Sequence, residues 1–209
     1  MKRSHWQKTI LGLSLLLIGL TNRAMADDFH HALFNTPAEA MLGNNKAPIT
    51  LVEFFDYRCG VCRRIAPTIN RFPQQNRDVN VIYRIYPILG PASEYVARAA
   101  IASQQQGKFI RFHNLLLSSS QPLTNNEVTR LANKAQLDVD QLHRDMYSNY
   151  VNQVLQETEQ LANQLRIPGT PTFVVGYNQD ASVTPYIAAG VLSHSELNSL
   201  ISQLKAQRH

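Results

Sequence analysis

Cysteine is almost missing from this chain: Cys59 and Cys62 are the only two in 209 residues. A scaffold stapled by several disulfides is therefore excluded. A structural zinc site needs four ligands. No second Cys pair and no closely spaced His pair follows, so a metal reading is left with half a site. Internal repeats, glycine-rich phosphate loops and low-complexity tracts are also absent. Acid is missing from the first 26 residues, which carry Lys2, Arg3, Lys8 and Arg23. Removing those four from 20 Lys and Arg leaves 16 against 15 Asp and Glu, a near-neutral remainder. The basic balance of the whole chain thus belongs to its start and makes no case for nucleic acid. Long apolar runs are scarce as well. Ile10 to Leu20 is too short for a comfortable membrane span.

That start reads as a targeting segment. Lys2, Arg3 and Lys8 form a basic region, Ile10 to Leu20 an apolar one, and Ala24-Met25-Ala26 a small-x-small cleavage site. The expectation is a signal peptide over 1–26 and one domain over 27–209, a length that can bury a core. An uncleaved membrane anchor is the alternative. No cysteine follows the apolar region at a lipobox, which excludes lipid attachment there. Exported chains usually gather several disulfides. A single pair with Cys-x-x-Cys spacing points instead to exchange.

What the sequence does have is the stretch Phe54-Phe55-Asp56-Tyr57-Arg58-Cys59-Gly60-Val61-Cys62-Arg63-Arg64-Ile65-Ala66-Pro67. An apolar strand, Ile49 to Phe55, runs into the cysteines, and a helical pattern leaves them. Both thiols then sit at a helix N-terminus, where free N–H groups and the helix dipole favour an anion. A thiolate is such an anion, so Cys59 is expected to have a depressed pKa. Arg58, Arg63 and Arg64 are expected to help. Cys62, one turn further in, is placed to attack a mixed disulfide on Cys59 and release it. Three other readings stay open: a zinc half-site, an inert disulfide closing a tiny loop that stabilises little, and two reduced core thiols.

Glu53 interrupts the buried strand. A carboxylate there is costly unless it is paired or titrates upward. It is expected to be a proton acceptor beneath the resolving thiol, or else a strand-end carboxylate bonded to backbone. Asp56, on the opposite face, reads as a turn residue or cap. Residues 27–47 show no strong periodicity, and His30-His31 read as part of a solvated segment, with metal binding as the alternative.

Val61 to Gln74 is expected to be helical and kinked at Pro67. Val79 to Pro87 is a second strand, and strand–helix–strand makes a parallel crossover. From about Ala92 to Arg166 the pattern is helical almost throughout. One segment stops at Gly107, His113 reads as a packed polar group, and Thr124 and Asp138 open helices. Glu157 and Glu159 read as a solvated face of the helix Asn149 to Leu165. Pro171 opens a third strand. Tyr186 to Gly190 is a short fourth, and Ser193 to Glu196 is a capping box for a last helix reaching Ala206. The fold class is α/β.

The motif around Cys59 and Cys62, together with Gly169-Thr170-Pro171-Thr172-Phe173 and the leader, resembles the DsbA-like periplasmic thiol:disulfide oxidoreductases. The resemblance covers nearly all of residues 27–209. It implies a thioredoxin-like fold with an inserted helical domain at about 91–166. It implies a cis bond from Thr170 to Pro171 facing the cysteines, a Thr170 backbone that pairs with substrate, and Glu53 as the buried acid. The catalytic set would be Cys59, Cys62 and Glu53, with Thr170 and Pro171 binding substrate. No metal is implied, and no cofactor beyond a redox-active Cys59–Cys62 disulfide. The activity implied is disulfide donation in the periplasm. Its partners would be exported proteins with thiols and a membrane partner for reoxidation, and nucleic acid is not among them. Gly60-Val61 departs from the Pro-His of the best-known oxidant. With Thr170, it also resembles the disulfide isomerases and related suppressor proteins. Isomerases carry an N-terminal dimerisation module for which Asp27 to Ala47 is too short, so a monomeric oxidant is expected. An isomerase or reductase of the same fold is the alternative, and so is a non-catalytic thioredoxin-like binding protein.

Overall fold

A computed structural model of the chain describes residues 27–34 and 41–208. The expected leader and its cleavage site lie outside these residues. Among the described residues no helix is long and apolar enough to cross a membrane.

Five strands form one mixed sheet in the order β1-β3-β2-β4-β5. They are β1 (Met41–Leu42), β2 (Ile49–Phe55), β3 (Val79–Ile85), β4 (Thr172–Tyr177) and β5 (Tyr186–Ala189). β2 sits at the centre. It runs parallel to β3 from Ile49↔Val79 to Phe55↔Ile85, and antiparallel to β4. Every residue of β2 is buried, as its near-continuous apolar sequence requires of a strand covered on both faces.

Alternation along β2 divides two cores. Ile49, Leu51 and Phe55 join the larger one, with Ile65, Ile69 and Phe72 of helix α2 (Gly60–Gln75). Those three recur at helical spacing, so α2 lays one stripe on the sheet. α2 runs through Pro67 and Pro73 as one element. Val52 and Phe54 face the smaller core, with Leu33 and Phe34 of a first helix, α1 (27–34), and Leu161 and Ala162 of a helix late in the chain.

Residues 27–34 are thus not the solvated lead-in expected from the sequence. Leu33 and Phe34 are buried, and His30 is half-buried with its ring 4.8 Å from that of Phe34. Two turns of helix are too short to show periodicity. The reason they dock lies far away in the chain. Gly176 has no side chain, and a Cβ there would overlap the Phe34 ring.

Between β3 and β4 lies the helical block: α3 (Pro91–Ala102), α4 (Phe109–Ser118), α5 (Asn125–Lys134), α6 (Val139–Asp145) and α7 (Asn149–Gln164). A 3-10 turn, Ser103–Gln106, ends at Gly107 with φ +64°, a left-handed stop that glycine adopts freely. Thr124, Asp138 and Ser148 cap their helices through side-chain oxygens. Ser193 and Glu196 form the full reciprocal box of α8 (His194–Ala206). Glu157 differs from expectation. It pairs with the buried Arg84 of β3 at 2.9 Å, so it is not simply a solvated charge. The partner is 73 positions away, which helix periodicity cannot reveal.

Candidate redox site

Cys59 is the N-cap of α2. Its backbone is extended (φ −69°, ψ 111°), and its Sγ accepts the amide N–H of Cys62 at 3.3 Å. Cap positions usually carry an oxygen acceptor. Here a sulfur holds the place, with no acid in the first turn to oppose charge on it. Cys59 is half-buried and Cys62 is buried, and both are free thiols.

Their environments push the two thiols apart. Burial raises Cys59. Hydrogen bonds from the Cys62 thiol and amide, the Thr170 side chain and the Val61 amide outweigh it, and the net result is a lowered pKa. Burial also raises Cys62, and its bond to Cys59 adds to that, against a lesser opposing pull from the backbone of Asp56. The outer sulfur is the one that takes the charge.

The arginines take little part. Arg58 and Arg64 are exposed, and Arg63 turns to the carbonyls of Leu117 and Ser119 at the end of α4. The anion is held by directed hydrogen bonds and the helix terminus rather than by nearby cations, contrary to the sequence expectation.

Glu53 lies on the sheet beneath, only 3% exposed. Burial, then the charge of Cys59, raises its pKa to about 8, so the carboxyl keeps its proton at neutral pH. It pairs in register with Tyr83 on β3 and Phe173 on β4. Once ionised, it pushes up the pKa values of Cys62, Tyr57 and Tyr83, the groups that surround it.

The loop before β4 closes the site. The Thr170–Pro171 bond is cis, and Pro171 is buried. The Sγ of Cys59 donates to the carbonyl of Thr170 at 3.4 Å, across 111 positions of sequence. Thr172 Oγ1 and the amide of Gly190 tie this loop down at Gly169 and Pro171. The structure therefore gathers Cys59, Cys62, Glu53, Thr170 and Pro171 at one end of the sheet. Among the described residues no group of three or more His, Cys, Asp or Glu is assembled that could hold a metal.

Three residues around the site carry more than the sequence indicated. Asp56 is indeed a turn residue, its Oδ1 accepting the Arg58 amide at 2.8 Å. It also reaches across to the segment after β3, which the sequence spacing does not show. Tyr57 is bonded to Nδ1 of His113 on α4 at 2.9 Å. His113 is fully buried among Phe55, Tyr57, Tyr83 and Phe109, and burial lowers its pKa to about 3.

Comparison with known proteins agrees with this geometry. The model of the DSBA-like thioredoxin domain matches residues 50–190. A thioredoxin-like oxidoreductase from Silicibacter pomeroyi superposes with a TM-score of 0.76 at 36% identity, over 84% of this chain and 96% of that one. The catalytic domain of Proteus mirabilis ScsC shares the fold, with a TM-score of 0.73 at 24% identity over 88% and 98% of the two chains. A probable disulfide bond formation protein D from Bacillus anthracis is 26% identical over 72% of this chain and 76% of its own length. A Na(+)/H(+) antiporter, NhaA 3 of Salinispora tropica, is 28% identical over 64% of this chain, but the matched part is only 21% of that protein's length. With a cysteine-capped helix, a thioredoxin-type sheet and a family match reaching from β2 past β5, the chain belongs to the DSBA-like thioredoxin domain family of thiol–disulfide oxidoreductases.

Proposed function

We propose that this chain is a periplasmic oxidant that donates its Cys59–Cys62 disulfide to exported proteins. A substrate thiolate attacks Sγ of Cys59. The Cys59–Cys62 bond breaks, and Cys62 leaves with the proton that Glu53 holds. A second substrate thiolate attacks the substrate sulfur of the mixed disulfide, and Cys59 leaves as a thiolate. Two electrons have passed to the protein and the substrate has gained one disulfide. A membrane disulfide oxidant then takes the two electrons back. The backbone of Thr170, beside the buried Pro171, holds the extended substrate as an added strand.

The observation that carries this reading is the opposed setting of the two thiols. A good leaving group at Cys59 and a poor anion at Cys62 favour release of oxidised substrate and a reduced enzyme. The basic and then apolar start of the sequence, read as a leader, supports export, and a structurally similar Salmonella protein is described as periplasmic. Residues 27–34 and Met41–Leu42 are built into the fold, which supports a monomer.

Equilibration with glutathione tests the proposal. An oxidant is reduced by a small excess of reduced over oxidised glutathione, whereas a strongly reducing pair resists it. Gly60-Val61 and Thr170 support a second reading as an isomerase. Refolding of a scrambled-disulfide protein in a buffer without redox reagents separates the two: an isomerase restores it, and an oxidant does so poorly.

A further inference from the structure

The carboxylate of Asp56 is 1% exposed and binds three donors. Oδ1 accepts from the Arg58 amide at 2.8 Å and from Ser93 Oγ at 2.8 Å, and Oδ2 accepts from the Leu89 amide at 3.1 Å. Its own carbonyl accepts the amide of Cys59 at 3.0 Å. One residue therefore joins the turn that carries the reactive sulfur to the turn that opens α3. Gly90 shapes the second turn, with φ +87°, a value that L side chains rarely adopt. Just before it, Ile88 and Leu89 stand 42% and 48% exposed, although both are large and apolar. The Leu89 amide is fixed to Asp56, and Asp56 in turn holds the Cys59 amide, so the backbone of this turn is held at a set place relative to Cys59.

Every partner of this carboxylate is a donor, so an acceptor-only group fits and an amide does not. In the Asp56→Asn variant an NH2 would face the Leu89 N–H or its fellow donors. One link would be lost and a buried donor left unpaired.

We propose that Asp56 is a positioning residue that locks the Ile88–Leu89 turn beside Cys59, so that thiols flanked by apolar side chains are selected. This rests on the thiol-exchange reading of the site, and it concerns which thiols react rather than which way electrons flow. The expected occupant is an extended peptide whose cysteine is at Cys59 and whose neighbouring apolar side chain lies on Leu89.

The test uses the oxidised protein and two eight-residue peptides of one cysteine each, one with leucines beside it and one with serines. The protein disulfide is reduced by two peptide molecules, which leave as a peptide disulfide. Acid quenching and mass measurement follow the reaction. The wild type should prefer the leucine peptide by about tenfold in kcat/KM, the scale of one added apolar contact. Asp56→Asn should raise KM for the leucine peptide and bring that preference to about threefold or below, the loss of part of the same contact. Leu89→Ser, an exposed change that does not threaten the fold, should do the same, and Ser93→Ala should do so more weakly. The inference is overturned if the wild type shows no preference, or if Asp56→Asn slows both peptides equally. Should Asp56→Asn fail to fold, an undiminished preference in Leu89→Ser overturns it alone. Wild-type protein that fails to react even with glutathione would instead bring down the exchange reading itself.

Discussion

The amide of Cys62 donates to the sulfur of Cys59 across 3.3 Å, so helix α2 is capped by the group whose charge the chemistry uses. A side-chain cap stabilises a helix by about 1 kcal/mol. A thiolate adds its attraction to the helix dipole. A sulfur already bonded to Cys62 carries no such charge and is the weaker acceptor. Reduction of the pair therefore strengthens the start of α2, and this is the physical basis of the oxidant role proposed above.

The Thr170 hydroxyl, which lies outside α2, helps to lower the pKa of Cys59. Thr170→Val keeps the branched shape and removes the hydroxyl. The Cys59 thiolate should become less stable, and the glutathione equilibrium should move toward the oxidised protein by about three- to tenfold, the net worth of one ordinary hydrogen bond. An unchanged equilibrium would show that the hydroxyl does not hold the anion.

Glu53 should make the protein less stable as pH rises. Its pKa is about 8 folded and 4.5 as a free side chain. Below 4.5 both states hold the proton, and no difference arises. Between the two values the unfolded chain releases a proton that the folded one keeps, so stability falls and levels off above about 8. The loss is on the order of 3–5 kcal/mol as an upper bound. Glu53→Gln should flatten this slope in urea titrations at pH 5 and 8.5. It should also slow exchange by roughly a hundredfold, the low end for a general acid.

His113 should act at the other end of the scale. Its ring has a pKa of about 3 folded against 6.5 free. Stability is whole above 6.5 and is lost as pH falls toward 3, by at most about 1.4 kcal/mol per pH unit. His113→Phe keeps an aromatic ring but leaves the Tyr57 hydroxyl unpaired, at a cost of about 1–2 kcal/mol. The variant should thus be weaker at pH 8 and show a shallower acid slope in denaturant titrations. Parallel slopes would contradict this.

Gly176 is the seat of Phe34. Gly176→Ala should cost about 2 kcal/mol by overpacking. It should also raise amide exchange across residues 27–34 before it affects β2 or β3. Uniform exchange with no local opening would count against the docking described for α1.

The site was legible where chemistry and spacing coincide. Cys59 and Cys62 declared a helix N-terminus because a strand pattern ends and a helical one begins there. Glu53 stood out as the one acid in a buried strand. Thr170 and Pro171 were found by resemblance, since nothing in local sequence says that they meet a sulfur 111 positions away. What was missed depends on long-range contact. Arg63 read as a charge near the thiols, yet it serves the carbonyls that end α4. Asp56 read as a turn residue, which it is, but its bonds to Leu89 and Ser93 exist only once β3 lies beside β2. Helix α1 and the two-residue strand β1 were too short to carry a period.

The most direct test is a pH titration of thiolate absorbance in the reduced full domain, with Cys59→Ser as the blank. The account predicts a transition that belongs to Cys59 and lies clearly below the free-thiol value of about 8.5, and that does not move when Arg58 and Arg64 are replaced by alanine. A transition at or above the free-thiol value would contradict it.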